Sequence, residues 1–181
     1  PFYEDFSKAM GFPDTSRWES GSGAYINYTY GIKPPTIGVA TFDGLDASGE
    51  PYSFEAPSSL GLADVLASKQ MDLSSFAVSD QLTLTFYWQA RGWGEQPNTG
   101  DSLILEFKND QEQRVRQWGV SADTITVFDQ DTVTITQASF LHKNFKFRFI
   151  SYGRLSGPYD TWNIDYIYFN TKNNASRPNT G

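Results

Sequence analysis

Asn144-Phe145-Lys146-Phe147-Arg148-Phe149-Ile150 sets three phenylalanines against Lys146 and Arg148 in strict alternation. Successive side chains of a β-strand point to opposite faces, so this run predicts a strand with one dry face and one wet face. A helix would scatter the same phenylalanines around its circumference. Strands of this kind build antiparallel sheets, with one face packed on a core and the other in water.

The same period recurs on both sides of that run. Leu82, Leu84, Phe86 and Trp88 alternate with polar residues through 81–88, and Leu103, Leu105 and Phe107 do so through 102–107. The β-branched runs 124–128 and 132–135 read as short strands, and 163–169 reads as the last one. Runs 23–27 and 36–42 read as early strands, split by Lys33-Pro34-Pro35. The stretch 60–73 fits either a short helix or a strand. It is read as a strand, because strands follow it and no capping pair is visible. Asp43-Gly44, Ser48-Gly49, the loop 91–100, the polar turn 109–113 and the loop 153–160 supply the connections. Eight or more short alternating strands predict an all-β fold, an antiparallel two-sheet β-sandwich of jelly-roll type over residues 1–170. Residues 171–181 are polar and unpatterned, and read as a linker or tail.

Composition narrows the function. Aromatic residues make up 16% of the chain, with 15 Gly and 9 Pro, which suits sheets joined by turns. The formal net charge is −7, which argues against a nucleic-acid partner and against docking on an anionic membrane. No apolar stretch is long enough to cross a bilayer. The chain has no cysteine, which excludes disulfides, thiolate metal sites and a cysteine nucleophile. His142 is the single histidine, has no nucleophile elbow near it, and reads as a surface turn residue. The nearest carboxylate pairs, Glu4-Asp5 and Asp129-Gln130-Asp131, lack the Glu-x-Asp-x-x-Glu spacing by which concanavalin-like hydrolases put two carboxylates on one strand face. Catalysis is therefore not expected.

Phe2-Tyr3-Glu4-Asp5-Phe6, the run 63–74, Gly100-Asp101-Ser102-Leu103-Ile104-Leu105-Glu106-Phe107, Phe145-Lys146-Phe147-Arg148-Phe149 and the run 157–167 occur in an order that carries a resemblance. The chain resembles the MAM-like, concanavalin-like jelly-roll domains of secreted and cell-surface proteins in Bacteroidota, including type 9-secreted and gliding-associated ones. It departs from them at Arg114-Val115-Arg116-Gln117-Trp118-Gly119, which is more basic than the Trp-rich strand expected there. The resemblance implies a non-catalytic module that binds a glycan or a protein partner. A structural role in a secretion or gliding machine is the alternative, and a glycoside hydrolase ranks third. It also implies an extracellular or cell-surface location within a longer multidomain chain. In sandwiches of that type the first and last strands lie side by side, which implies a Ca2+ site formed by Glu4 or Asp5 with Asp165. Asp165 sits between Ile164 and Tyr166 in an apolar strand, so it needs a metal, an arginine or backbone amides as partner.

Sugars present apolar C–H faces that stack on exposed aromatic rings. Trp18, Trp88 and Trp162 are expected in the core. Trp93 lies between Gly92 and Gly94, Trp118 follows basic and polar residues, and Tyr159 follows Gly157-Pro158. These three are the candidate ligand contacts. Asp43, Asp46 and Glu50 form an acidic turn that reads as a solvated loop. An aromatic cleft with convergent carboxylates would point to a sugar ligand, and a large apolar patch without a cleft to a protein partner.

Overall fold

The computed structural model describes residues 2–121 and 127–172. Among the described residues, ten strands form two antiparallel sheets. They are β1 (Phe2–Glu4), β2 (Tyr25–Asn27), β3 (Val39–Phe42), β4 (Leu60–Ala67), β5 (Leu82–Ala90), β6 (Ser102–Lys108), β7 (Arg114–Ser121), β8 (Asp129–Thr134), β9 (Phe147–Arg154) and β10 (Trp162–Thr171). One sheet runs β2-β3-β10-β5-β8, with β1 beside the far half of β10, and the other runs β4-β9-β6-β7. Among the described residues the helical segments are two single 3-10 turns, Val78–Asp80 and Ala138–Phe140. The alternation in 144–150 lands as expected. Phe145, Phe147 and Phe149 are buried, while Lys146 and Arg148 pair outward with Glu19 and Glu106.

Packed aromatic rings join the sheets. Phe86 of β5 meets Phe149 of β9 and Trp118 of β7, each at 4.9 Å between centroids and edge to face. Trp88 leans on Trp162 and Trp118, and Trp18 packs on Phe2, Phe6 and Phe147. Edge-to-face geometry sets the positive rim of one ring against the negative face of the next. Trp18, Trp88 and Trp162 are buried, as their sequence positions imply.

Three register shifts interrupt the ladders, in β4, β7 and β10. In β7, Leu105 pairs Trp118 while Glu106 pairs Arg116, so Gln117 is an extra residue. Residues two apart normally share a face, but a bulge reverses this. Arg116 therefore faces outward and Trp118 inward. In β10, Asp165 pairs Tyr87 and Tyr168 pairs Thr85, and Tyr166 takes a left-handed φ of 50° within the shift.

The stretch 60–73 is a strand through Ala67. The ladder in 36–42 begins only at Val39, because the Thr36 N–H and hydroxyl both donate to Asp165 and Gly38 is pressed against the Phe6 carbonyl. Residues 124–126 of the expected strand 124–128 lie outside the described residues, and Val127 and Phe128 precede β8. Of the expected tail, Thr171 closes β10 and 173–181 lie outside the described residues. No helix is long and apolar enough to cross a membrane among the described residues.

Replacing Phe86 by Ala removes both inter-sheet ring contacts at a fully buried position. The expected loss is about 3–5 kcal/mol of unfolding free energy, read by urea denaturation. A loss below about 1 kcal/mol would mean that the sheets are not held together there.

Candidate functional site

β2, β4, β6 and β10 begin, and β3, β5 and β9 end, at the same end of the sandwich. The loops after β3, before β6 and before β10 therefore gather there. Between the segment 11–25 and the loop 43–49 lies a groove of about 500 Å³. Phe12 is 71% exposed on its wall and Tyr25 46% exposed, with Asp43, Asp46 and Ser22 beside them.

Local geometry builds each wall. Gly11, at φ 80°, exchanges two hydrogen bonds of 2.7 and 2.8 Å with Ile26, which lays the segment along β2. Pro13 is buried next in line, so Phe12 between them turns outward. Across the groove, Asp46 accepts the N–H groups of Ser48 and Glu50 and closes its own turn, the solvated loop expected from sequence. The Asp43 carboxylate accepts the Leu45 N–H, and burial raises its pKa above the usual carboxylate range.

Asp64 joins the two walls from below. Its side chain is wholly buried and accepts the Gly44 N–H at 2.9 Å and the Tyr52 hydroxyl at 2.7 Å. Gly23 packs directly on that pair, and a Cβ there would collide with the Tyr52 hydroxyl and the carboxylate. Burial pushes Asp64 up to about 7, against the lowering effect of its donors. Ser151 receives the Asp64 N–H, tying β4 to β9.

A second groove, about 420 Å³, lies nearby between Leu60, Asn98, Thr99, Tyr152, Arg154 and the buried pair Asp101 and Asp160. Asp160 accepts from Asn98 and from the Arg154 N–H, and Asp101 accepts the Asn98 N–H. Burial and the Asp160 carboxyl together raise Asp101 to about 6. Retaining glycosidases hold their carboxyl groups about 5–5.5 Å apart across a substrate bond. Here the two interact directly and hold two loops together.

The residues expected from sequence separate into two groups. Trp93 is 73% exposed. Its N–H donates to the Tyr30 carbonyl, while Gly92 fits against Tyr30, Asn163 and Gln89, and Gly94 against Thr161. Neither glycine has room for a Cβ, so the backbone is pinned down and the indole stands out. Tyr159 is half-buried in the same end, with the Arg154 guanidinium 4.5 Å over its ring. Trp118 differs from the expectation: the bulge at Gln117 turns its ring onto Phe86 and Trp88, where it packs half-buried against the core.

The three acids expected to hold Ca2+ are each engaged by donors of the protein. β1 and β10 do lie side by side. Yet Glu4 accepts from the Phe6 N–H and Trp18 Nε1, and Asp5 accepts from the Tyr3 and Ser7 hydroxyls and the Ser7 N–H. Asp165 accepts from Thr36 twice and from the Tyr166 N–H, which is the backbone-amide outcome. Among the described residues no three Asp, Glu or His side chains gather around a common point. His142 closes a turn between the Lys108 carbonyl and the Asn144 N–H.

Phe12, Tyr25 and the groove escaped the sequence reading. Phe12 carries a usable signal, since it is flanked by Gly11 and Pro13 much as Trp93 is flanked by two glycines.

Burial raises Asp64 to about 7 and Asp101 and Asp165 to about 6, all above the unfolded carboxylate value. The folded state then holds protons that the unfolded chain has already released. Their stabilising contribution is complete below about pH 4 and is lost as pH rises through about 6–7. The melting temperature should therefore rise by several degrees from pH 8 to pH 5, and Asp64→Asn should flatten that slope. A melting temperature that climbs toward pH 8 would contradict the sign. Chelation should leave the melting temperature unchanged, whereas Thr36→Val should lower stability by about 1–3 kcal/mol by stranding Asp165.

No protein-family model matches the chain, and no curated protein matches it. Solved structures do. A family 61 carbohydrate-binding module in complex with β-1,4-galactotriose is 12% identical, with a TM-score of 0.53 over 93% of this chain and 99% of that one. The K1 cleaved adhesin domain of Lys-gingipain from Porphyromonas gingivalis W83 is 13% identical, with a TM-score of 0.52 over 94% and 97%. A family 27 module from Caldicellulosiruptor saccharolyticus in complex with mannohexaose is 10% identical, with a TM-score of 0.53 over 92% and 94%. At these identities the likeness establishes a shared fold: the chain is an antiparallel β-sandwich of the kind used by carbohydrate-binding modules and by a gingipain adhesin domain.

Proposed function

We propose that the chain is a non-catalytic glycan-binding module of an exported bacterial protein, and that its ligand lies in the groove between 11–25 and 43–49. The observation that carries this reading is the groove itself, where exposed Phe12 and Tyr25 stand beside the carboxylates of Asp43 and Asp46. A pyranose has an apolar face for the rings and equatorial hydroxyls for the acids. The electron-rich ring faces attract its polarised C–H groups. Small-ligand sites typically combine such apolar walls with a few placed polar groups. The fold is one on which galactotriose and mannohexaose complexes have been solved. Trp93 and Tyr159 stand at the same end and extend the surface for a longer chain.

The surface setting, the longer parent chain and the type 9 route implied by the resemblance belong to this proposal, and the gingipain adhesin likeness supports an adhesive role. A protein partner is the second reading, supported by Leu60 and Leu62, both more than half exposed on β4. Hydrolysis finds no support in the second groove, because the buried Asp101 and Asp160 accept protein hydrogen bonds there.

Affinity electrophoresis through β-1,4-galactan, mannan and xylan tests the proposal. At least one should retard the protein without release of reducing ends. Phe12→Ala should weaken that binding by about 1–3 kcal/mol, with the melting temperature unchanged. Trp93→Ala should weaken binding to long chains more than to trisaccharides. Binding that is indifferent to both substitutions would place the site elsewhere, and no retardation by any of the three would favour a protein partner.

A further inference from the structure

The outer face of the four-stranded sheet carries a second feature, at the end opposite the groove. Phe107 pairs Phe147 and Val115 with their side chains inward, so their neighbours face out. Arg148, Glu106 and Arg116 lie in one row across β9, β6 and β7. Lys146, Lys108 and Arg114 lie in the next, where the Lys108 N–H donates to the Lys146 carbonyl and Lys108 pairs Arg114. The rows are about 7 Å apart and the strands about 4.8 Å. Five cations thus occupy six adjacent positions on a chain whose net charge is −7.

Local acids do not balance them. Lys146 pairs Glu19 at 2.5 Å, Arg148 pairs Glu106 at 2.6 Å, and Lys108 pairs Glu112. Arg114 and Arg116 form no ion pair among the described residues. Arg114 Nη1 is buried with no hydrogen-bond partner. Its neighbours' charges act on it, with Arg148 repelling and Glu19, Glu106 and Glu112 attracting, while burial opposes its charge most of all. The Arg116 guanidinium lies back over Gly119, where any Cβ would collide with it. Among the described residues, no carboxylate forms an ion pair with either guanidinium of this edge strand.

We propose that this face binds an anionic polysaccharide, whose carboxylate or sulfate groups are held by Arg114 and Arg116 of β7 and Arg148 of β9, on either side of β6. Guanidinium groups bind such planar or trigonal oxyanions through two parallel N–H···O bonds. The rows offer a regular array of partly covered cations, with Arg116 the exposed one, to a stiff, regularly charged chain. Single-stranded nucleic acid needs aromatic platforms for its bases, and the six lattice positions hold none. The acidic balance of the rest of the molecule repels a long polyanion anywhere else. This site stands independently of the neutral-glycan groove.

The whole chain is run over immobilised dextran sulfate, polygalacturonate and neutral dextran at low and high salt. Retention by either charged matrix, released by salt, with passage through neutral dextran, is the expected result. Dextran sulfate alone assigns sulfate esters, and polygalacturonate alone assigns uronates. The double variant Arg114→Gln, Arg116→Gln should weaken retention at least tenfold with an unchanged melting temperature. Phe12→Ala should retain the charged matrix fully, which separates this site from the groove. Passage through both charged matrices, or equal retention of the double variant, overturns the proposal. So does equally tight binding of a single-stranded oligonucleotide of the same charge.

Discussion

A carboxyl group carried into a protein interior must find hydrogen-bond donors there, because an unsatisfied buried charge costs far more than a single contact returns. Glu4, Asp64, Asp160 and Asp165 are all nearly or wholly buried here, and each meets the demand with donors from other segments. Asp64 collects Gly44 and Tyr52, Asp160 collects Asn98 and Arg154, Asp165 collects Thr36, and Glu4 collects Trp18. The chain has no disulfide to tie its loops. Buried acids do that work instead, and the groove walls meet where one of them sits.

The sandwich beneath is more uniform. Phenylalanine and tryptophan rings from both sheets meet edge to face, and their alternation with outward polar residues fixes the register. A slip by one residue would expose a whole row of rings. The bulges in β4, β7 and β10 are the places where that rule is broken, and each one re-aims a side chain. In β4 it turns Asp64 inward, in β10 it places Asp165 under Thr36, and in β7 it turns Trp118 against the core.

This explains what could be read from sequence. The strands with strict alternation were legible, because burial of every second residue has only one geometric solution. The strand at 60–67 was legible by its neighbours and not by its own pattern. Trp93 was legible in exposure, because the two glycines beside it leave the ring no side-chain neighbour in sequence. Trp118 was not: the arginines before it keep an even spacing, and an extra residue is invisible in a period-two pattern. The partner of Asp165 was open for the same kind of reason, since Thr36 is 129 positions away. The groove was hidden because its walls come from segments about 20–30 residues apart, with their meeting point set by a third.

β7 and β8 each lie at one edge of their sheets, opposite β4 and β2. β7 carries Arg114 and Arg116 along that edge, and β8 carries Asp129 and Asp131. Two copies meeting through the same edge would set arginine against arginine or aspartate against aspartate, which disfavours the pairing. The charges that make one edge attractive to a polyanion thus also disfavour the pairing of like edges between two copies.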